Sequence, residues 1–358
     1  MPKHVFVVMT NPLTLHHEKL GARFGPAQTP LYYTDPVQEY WTVRNSAGII
    51  DLSHLGRLTL AGKDRVSFLN GLLTNDMTQL KEENGVHSAL LNTKARVLAD
   101  LYLYNQENGV LVDTGESPAE KVKGLLDQFI ITEDVQIRDS TQELLQVTVQ
   151  GPKSSQAFKE VLGLDLQGLT QLAYKTLGPS IIIARDRTGL GGYDIIVPRD
   201  EAEAEAVWQG FLLKGGDVGV APVGLEALDI LRLEKGLPNY GVDVDENVIV
   251  LEAGFNDAIS FTKGCYMGQE VVARATHIGR VNKKLVQLEI DAKTPPGPKS
   301  KLMSDGKETG FLTSSAFSPG RGKVVGLGYV QRDIAVEGAK LTVESAGTSV
   351  PAAVARAV

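Results

Sequence analysis

Cysteine is almost absent from this chain of 358 residues, which contains Cys265 and no second thiol. A lone cysteine excludes an internal disulfide and a zinc site built from several thiolates. It also excludes an iron–sulfur cluster held by this chain alone, because such a cluster takes about four ligands that are mostly thiolates. Any cluster would have to be held across a dimer or together with a partner protein.

Long apolar runs and an excess of positive charge are missing as well. The apolar run at residues 5–9 is too short for the core of a signal peptide or for a membrane span, and no later stretch reaches membrane length. We therefore expect a cytoplasmic protein without membrane contact. The net charge of -7 argues against general nucleic-acid binding, although it leaves room for a local basic patch.

The length of the chain and the pattern of its segments indicate the fold class. A chain this long exceeds what one hydrophobic core usually supports, so two or three domains are expected. Strand-like and helical segments alternate without a long parallel series of strand–helix–strand units, which favours an α+β fold of antiparallel sheets with helices. After the proline-rich break at residues 294–298, short strand-like runs separated by turns predict a small C-terminal β-barrel.

The lone cysteine belongs to a motif at residues 263–270, which reads Lys-Gly-Cys-Tyr-Met-Gly-Gln-Glu. Good helix formers follow it, and a thiol just before a helix meets the positive end of the helix dipole. Lys263 adds a full positive charge nearby, and both effects favour the reactive thiolate. We therefore predict Cys265 and Lys263 as catalytic residues. The alternative, a cysteine buried as a small hydrophobic residue, fits poorly with these polar neighbours.

Asp100 is a further candidate for a catalytic residue. On a strand across residues 97–104, the two-residue period places it on one face with Leu98, Tyr102 and Tyr104. A carboxylate on a face that is otherwise apolar and aromatic has two interpretations. It belongs either to a strand end that faces solvent or to a pocket whose surroundings tune its pKa. The sequence leaves both interpretations open.

No metal site is predicted. His16, His17 and Glu18 are neighbours on a short helix, and adjacent helical residues do not face the same way, so a solvated helix is the better interpretation. A basic group surrounds His277 after the cysteine motif, and it predicts either a solvated charged face or a clamp for carboxylates and phosphates. Its members are Arg274, Arg280, Lys283 and Lys284.

Segments along nearly the whole chain resemble the aminomethyltransferase, or T protein, of the glycine cleavage system. The cysteine motif differs, since it is similar to the signature of the YgfZ branch of that superfamily, whose members bind folate and assist iron–sulfur cluster assembly or repair. The resemblance implies tetrahydrofolate as the ligand. The T-protein-like segments are residues 13–23, 43–44, 48–56, 62–64, 73–76, 231–236, 239–241, 251–254 and 313–329.

The resemblance also implies three domains around a central funnel in which tetrahydrofolate sits. The first two domains would each be assembled from two separate stretches of the chain, and the second would carry the cysteine motif. The expected ranges are 1–54 with 138–245 for the first domain, 55–137 with 246–281 for the second, and 282–358 for the C-terminal β-barrel.

Residues that contact the folate are implied by the same resemblance. Asp100 falls at the position where T proteins carry an acidic residue near the folate nitrogen that accepts the one-carbon unit. Leu55, Tyr104 and Tyr240 fall at positions similar to folate contacts of T proteins. The complete predicted folate-binding set is Leu55, Asp100, Tyr104, Tyr193, Arg232 and Tyr240.

Three departures from T proteins bear on the expected activity. T proteins have paired aspartates where this chain has Ala99 and Asp100. Their Thr-Gly-rich hairpin carries a glutamate that can hold the pterin edge, and the shortened hairpin at residues 188–193 has none. Leu228 replaces an expected arginine. These departures weigh against aminomethyl transfer and indicate that folate binding is altered.

Three hypotheses of function follow. The first is a tetrahydrofolate-binding factor that assists iron–sulfur cluster assembly or repair through a Cys265 thiolate beside the folate, with iron–sulfur assembly proteins as partners. The alternative is a tetrahydrofolate-dependent aminomethyltransferase, in which Asp100 positions or deprotonates the attacking folate nitrogen and a lipoyl carrier protein brings the aminomethyl group. A folate-dependent demethylase similar to sarcosine or dimethylglycine oxidases ranks last, because the chain has no flavin domain.

Overall fold

The structure of the chain is a computed structural model that describes residues 11–277, 281–345 and 347–358. This part of the chain folds into helices and mainly antiparallel strands, so the predicted α+β class is confirmed. No helix within those residues combines the length and the apolar character that crossing a bilayer takes. The α-helices are α1 (Thr14–Lys19), α2 (Pro36–Asn45), α3 (Arg65–Leu72), α4 (Ala119–Asp127), α5 (Ser154–Leu162), α6 (Glu201–Leu213), α7 (Leu225–Lys235) and α8 (Gln269–His277).

The strands assemble into two larger sheets, a two-stranded ribbon and a closed barrel. In chain order the strands are β1 (Arg23–Phe24), β2 (Pro30–Tyr32), β3 (Ala47–Asp51), β4 (Gly56–Ala61), β5 (Gly85–Leu91), β6 (Val97–Gln106), β7 (Gly109–Gly115), β8 (Gln136–Asp139), β9 (Leu144–Gln150), β10 (Tyr174–Leu177), β11 (Ser180–Ala184), β12 (Gly192–Pro198), β13 (Val220–Pro222), β14 (Lys283–Ile290), β15 (Lys301–Ser304), β16 (Lys307–Ser318), β17 (Lys323–Gln331), β18 (Lys340–Ser345) and β19 (Thr348–Ala357).

The first sheet has six strands in the order β10-β11-β12-β9-β3-β13. Strand β3 is buried on both faces, and the two-residue period of a strand sends its isoleucines to opposite sides. Ile49 packs into the core formed with α5 and α6, where Phe158 and Trp208 are fully buried. Ile50 packs against α2 and α7. The sheet is therefore fixed between two helical layers.

The helix that was predicted to be solvated around His16 and His17 is partly buried instead. His17 of α1 is fully buried, with its Nε2 2.9 Å from Asp51 and its Nδ1 2.9 Å from the hydroxyl of Tyr33. Its ring packs edge-on against Trp208. His17 thus partners a buried carboxylate that lies 34 residues further along the chain, and a local helical pattern cannot reveal such a partner.

The second sheet has five antiparallel strands in the order β5-β6-β7-β4-β8. One face packs against α3 and α4 and holds Leu101 and Leu103 of β6 in a fully buried core. The alternation of β6 turns Asp100 and Tyr102 to the opposite face. A single strand therefore carries hydrophobic core on one side and the candidate catalytic carboxylate on the other.

The first sheet draws its strands from two separate stretches of the chain, residues 47–51 and 144–222. The second sheet is inserted between them and takes its strands from residues 56–139. Strand β8 crosses the predicted boundary between residues 137 and 138. The domain ranges given above stay a prediction, although the interleaving of the two sheets follows the same order.

The closed barrel has the strand order β14-β17-β16-β15-β18-β19, which confirms the predicted C-terminal barrel. Aliphatic side chains fill its interior, and Val286, Leu312 and Val330 among them are fully buried. Strands β16 and β17 approach closely at Gly310, where a Cβ atom would lie 1.7 Å from the carbonyl oxygen of Tyr329. Only glycine allows this contact between the two backbones.

Helix α7 connects the barrel to the rest of the fold through a buried carboxylate. Arg232 of α7 donates to Asp243 at 2.7 Å, and Asp243 also accepts from the hydroxyls of Thr313 and Ser314 on β16, each at 2.5 Å. All four side chains are buried. If one partner were removed, the remaining buried groups would lose a hydrogen bond that water cannot replace, and the fold would be destabilised.

Replacing Asp243 by alanine is expected to lower the free energy of unfolding by about 3–5 kcal/mol, because the charge of Arg232 stays buried without its main partner. Urea unfolding followed by tryptophan fluorescence measures the change. Asp229→Ala is the matched control, since Asp229 is the second carboxylate bound to Arg232 and its side chain is half-exposed. This replacement is expected to lower the free energy of unfolding by about 1 kcal/mol or less. Equal losses in the two variants would contradict this account.

Candidate functional site

A cavity of about 690 Å³ opens between the two larger sheets, α7 and the barrel. Its wall includes Asp100 from β6, Arg187 from the loop after β11, Asp229 from α7 and Phe317 from β16. Every major part of the fold therefore contributes to one concave surface. A volume of this size suits a cofactor-sized ligand, so the cavity is the candidate binding site.

A row of three ionisable side chains crosses the cavity wall. His87 of β5 lies between two carboxylates, with its Nε2 2.6 Å from Asp100 Oδ1 and its Nδ1 2.8 Å from Asp257 Oδ2. His87 pairs across the strands with Tyr102, so Asp100 is its diagonal neighbour on β6. His87 and Asp100 are largely buried, whereas the side chain of Asp257 is 77% exposed. The row thus runs from the interior of the cavity towards solvent.

The side chains of this row shift one another's pKa values and so determine one another's charge. Burial lowers the pKa of His87, but Asp100 and Asp257 more than offset this effect and raise that pKa to about 9. Burial also raises the pKa of Asp257, and the hydrogen bond and charge of His87 outweigh it and hold that pKa below its usual value. At neutral pH the row therefore holds an imidazolium between two carboxylates.

Tyr102 lies between two cationic side chains. The His87 ring is parallel to the Tyr102 ring, with the two centroids 4.3 Å apart, and the guanidinium carbon of Arg185 lies 3.6 Å from the Tyr102 centroid. Two planar groups this close to one ring must occupy its opposite faces. Tyr102 therefore makes cation–π contacts on both sides, which fixes it in the cavity wall.

Two buried aspartates neutralise the arginines behind Tyr102. Arg185 contacts Asp113 at 2.5 Å, and Arg187 binds Asp194 through two hydrogen bonds of 3.1 and 2.6 Å. Both aspartates are fully buried, and both arginines line the cavity. Because these guanidinium groups already have carboxylate partners, they act first as supports of the wall.

The cavity lining includes four of the predicted folate-binding residues, Leu55, Asp100, Arg232 and Tyr240. Tyr240 is held by its hydroxyl, which donates to the carbonyl of Leu98 at 2.6 Å. Arg232 reaches the lining with its guanidinium already bound to Asp229 and Asp243. Tyr240 therefore offers its ring to a ligand, while Arg232 is committed to contacts within the fold.

The other two predicted folate-binding residues lie away from the cavity. Tyr104 is fully buried and packs edge-on against Tyr174. Tyr193 packs against Phe158 in the core of the first sheet and donates to the carbonyl of Leu166 at 3.1 Å. Neither of them lines the cavity, and Tyr102 supplies the aromatic wall instead.

The cysteine motif lies on the surface, against the loop between β5 and β6. Cys265 is exposed and is not among the residues that line the cavity. Helix α8 begins four residues later, after Gly268, which has a φ of +82° and approaches the carbonyl of Asn92 so closely that a Cβ would lie 2.6 Å from it. The predicted exposure of the thiol is met, whereas the predicted place of the thiol beside the cavity ligand is not.

Lys263 is bound to the backbone of a neighbouring segment. Its ammonium group donates to the carbonyls of Asn70, Leu73 and Asn75 at distances of 2.7, 2.8 and 2.8 Å. Burial lowers the pKa of Lys263 to about 8. Among the described residues no hydrogen bond joins Lys263 to Cys265. In the structure Lys263 therefore anchors the cysteine motif to the segment at residues 70–75, whereas it was predicted to activate the thiol.

The basic group predicted around His277 is described only in part. Arg280 and the side chain of His277 lie outside the described residues. Arg274 is exposed on α8, and the ammonium group of Lys283 lies 4.8 Å from the ring centroid of Tyr329. Neither residue lines the cavity, so neither contributes to a clamp for a ligand held there.

Sequence patterns did not indicate His87, Asp257 or the arginines of the wall. One signal was available for His87, since it is a histidine within a strand-like run at residues 86–91 whose other members, except Ser88, are apolar. Its partner Asp257 lies 170 residues further along the chain, and no spacing rule connects the two positions. The arginines follow a strand end, where charged residues are ordinary. Only the fold brings these residues together.

Two family models match the chain. The GCVT N-terminal domain matches residues 13–263, and the glycine cleavage T-protein C-terminal barrel domain matches residues 283–358. Together they cover both sheets and the barrel. The chain belongs to the glycine cleavage T-protein family.

Similar proteins span nearly the same length. An aminomethyltransferase of Desulfitobacterium hafniense (strain DSM 10664 / DCB-2) is 31% identical over 350 residues, which are 95% of each chain. An aminomethyltransferase of Caldanaerobacter subterraneus subsp. tengcongensis is 30% identical over 342 residues, which are 93% of this chain and 90% of its own. The crystal structure of glycine cleavage system aminomethyltransferase T from Bartonella henselae matches with a TM-score of 0.87 and 27% identity, over 96% of this chain and 95% of that one.

Replacing Lys263 by methionine is expected to lower the free energy of unfolding by about 1–3 kcal/mol, because three backbone carbonyls lose a charged donor. Thermal unfolding measures the loss. Lys94→Met is the control, since Lys94 is an exposed lysine on the loop between β5 and β6 and its replacement should change stability by about 0.5 kcal/mol or less. Unchanged stability in Lys263→Met, together with slower alkylation of Cys265 by iodoacetamide, would instead support activation of the thiol.

Proposed function

We propose that the chain binds tetrahydrofolate in the central cavity and acts as a tetrahydrofolate-dependent aminomethyltransferase. Membership of the T-protein family and the names of the relatives support this proposal. The observation that carries it is the carboxylate of Asp100, which lines the cavity and is held in its wall by His87. Tetrahydrofolate is the ligand that the family resemblance implies.

The chemistry of the cavity suits a reduced pterin. A pterin is a flat ring with a polar edge, and such a ligand needs apolar or aromatic faces together with a few placed polar groups. Leu55, Tyr240 and Phe255 supply apolar and aromatic surface in the lining, and Asp100 and Asp257 supply carboxylate oxygens. N–H groups of the pterin can donate to these oxygens.

Asp100 has the central part in the proposed reaction. A lipoyl carrier protein brings the aminomethyl group on one of its sulfur atoms. One folate nitrogen displaces ammonia from the carbon, and a second folate nitrogen then displaces the sulfur. The carbon becomes a methylene bridge on the folate, and the two N–H protons end on the ammonia and on the lipoyl thiol. Asp100 orients the first of these nitrogens by accepting its hydrogen and takes up the proton as the new bond forms. Its diagonal position to His87 on the sheet keeps the carboxylate in place, so less reorganisation is needed during the reaction.

Replacing Asp100 by asparagine is expected to slow folate-dependent ammonia release by about 10²–10⁴-fold, because the amide keeps the size of the side chain but cannot accept the proton. The assay uses aminomethyl-loaded lipoyl protein with and without tetrahydrofolate. Asp245→Asn is the matched control, since Asp245 is exposed and does not line the cavity. Absence of folate-dependent ammonia release from the wild-type protein would refute the transferase proposal.

Cys265 favours a second candidate function, which is a part in iron–sulfur cluster assembly or repair. Its thiol is exposed at a surface motif that Lys263 anchors to α3 and the segment after it, and that Gly268 anchors to the loop between β5 and β6, so a partner protein has access to it. The wall of the cavity also departs from T proteins, since Leu228 lines it in the position where an arginine was expected. In this function the folate cavity and the thiol lie at separate places on the molecule.

The two candidates are separated by replacing Cys265 with alanine. If Cys265 serves iron–sulfur proteins, cells that carry only Cys265→Ala should lose activity of their iron–sulfur enzymes, while ammonia release by the purified variant stays at the wild-type level. Asp100→Asn should give the opposite pattern if the chain is a transferase. Unchanged iron–sulfur enzyme activity in the Cys265→Ala cells would count against the second candidate.

The proposed partners follow from these two functions. Folate is common to both, a lipoyl carrier protein belongs to the transferase, and iron–sulfur assembly proteins belong to the second candidate. A cytoplasmic location is proposed for either.

A further inference from the structure

We propose that His87 is the positioning residue of the cavity: protonated on both ring nitrogens, it ties Asp100 and Asp257 into one row and turns the Asp100 carboxylate towards the ligand. This inference rests on the proposed binding of folate in the same cavity. It adds a residue that the T-protein-like pattern of the chain did not indicate, and it predicts a pH dependence that Asp100 alone would not produce.

Between two ionised carboxylates, the geometry of the row requires two N–H groups on the imidazole. An ionised carboxylate only accepts hydrogen bonds, and a neutral imidazole has one N–H and one lone pair. Carboxylate oxygens lie 2.6 and 2.8 Å from the two nitrogens of His87. With a neutral ring, one of these contacts would bring two lone pairs together. Double protonation satisfies both contacts and leaves the row with a net charge of -1.

The charged groups nearest to His87 favour the cation. The charged groups that face it are Asp100 of β6 and Asp257 of the segment before the cysteine motif, both of opposite sign. Tyr102 covers one face of the ring and separates it from the positive charge of Arg185, which Asp113 neutralises. Phe255 packs edge-on against the ring. The pKa of about 9 agrees with these surroundings.

The row is a support for a carboxylate and does not form a metal site. Both nitrogens of His87 are directed at carboxylate oxygens, so no lone pair remains for a cation. Within residues 11–277, 281–345 and 347–358, no group of three or more His, Cys, Asp and Glu side chains is arranged to hold a metal ion. Asp100 keeps its second oxygen, Oδ2, available for a hydrogen-bond donor of the ligand, because His87 occupies Oδ1.

The protonation of His87 can be measured without any ligand. In protein labelled with ¹⁵N-histidine, long-range ¹H–¹⁵N spectra should show His87 as an imidazolium at pH 7.5 that titrates near pH 9. Asp257→Asn should lower that pKa, because it removes one of the two carboxylates, and Asp257 is exposed enough for the variant to fold. His16→Asn is the control: it should remove the signal of a histidine that lies away from the row and leave the His87 signal unchanged. A neutral His87 ring at pH 7.5 in the wild-type protein would overturn the proposal.

The consequence for the ligand is tested with 5-formyltetrahydrofolate, a folate that resists oxidation. Affinity should be constant from pH 7 to 8 and fall as the pH rises through about 9, when His87 loses its proton. His87→Gln, which keeps one donor but no charge, should bind about 10–100-fold more weakly at pH 7.5 and lack the alkaline decrease. Weaker binding in His87→Gln with the alkaline decrease retained would contradict the positioning role.

Stability supplies a readout for the case in which His87→Gln folds poorly. The raised pKa means that the ion pairs of His87 stabilise the folded wild-type protein fully below its unfolded pKa of about 6.5, and that this contribution is lost as the pH rises through about 9. The difference in unfolding free energy between wild type and His87→Gln should therefore shrink over this range. A constant difference would contradict the proposal.

Failure of the wild-type protein to bind the folate would refute the proposed function instead, and the nitrogen spectra would still decide the protonation of the row.

Discussion

The cavity wall contains carboxylates that are buried away from water, and each of them must be neutralised by a cationic partner. The rest of the cavity depends on this constraint. An ionised carboxylate loses several kcal/mol of hydration on burial unless a cation or several donors replace the water. Around the cavity each such carboxylate has a cationic partner: His87 serves Asp100, and Arg185 serves the fully buried Asp113. The partners come from different strands, so the wall forms only when both sheets are in register.

The register of β6 connects this constraint to the fold. Because successive side chains of a strand face opposite sides, the strand buries Leu101 and Leu103 under α3 and α4 and at the same time presents Asp100 to the cavity. A shift by one residue would place the carboxylate in the hydrophobic core. The same packing that stabilises the second sheet therefore determines where the proposed catalytic group lies, and α7 with the barrel closes the space opposite it.

Features with a local cause could be predicted from the sequence. The strand period put Asp100 on a face that is otherwise apolar and aromatic, and the turn-rich region after residue 298 indicated the barrel. The family resemblance could not say where the cavity ends, so Tyr104 was expected at a wall that stops at Tyr102. The local charge pattern predicted that Lys263 activates the thiol. In the structure its ammonium group donates instead to three backbone carbonyls of a segment far away in the sequence. The link between His87 and Asp257 exists only in three dimensions.

The cavity and the cysteine motif lie at two separate places on the molecule. The first belongs to the shared fold of the family, since the sheets and the barrel that enclose the cavity match the family models and a T-protein structure. The second is a surface motif with its own anchor, and nothing about the chemistry of the cavity requires it. The proposed folate binding and the proposed role of the exposed thiol therefore do not depend on each other.

The crystal structure of the protein with 5-formyltetrahydrofolate tests the central claim most directly. The account predicts a pterin ring between Leu55 and Tyr240, with an N–H group within about 3.2 Å of Asp100 and the contacts of His87 unchanged. A folate bound outside the cavity, or an Asp100 carboxylate turned away from the ligand, would contradict it.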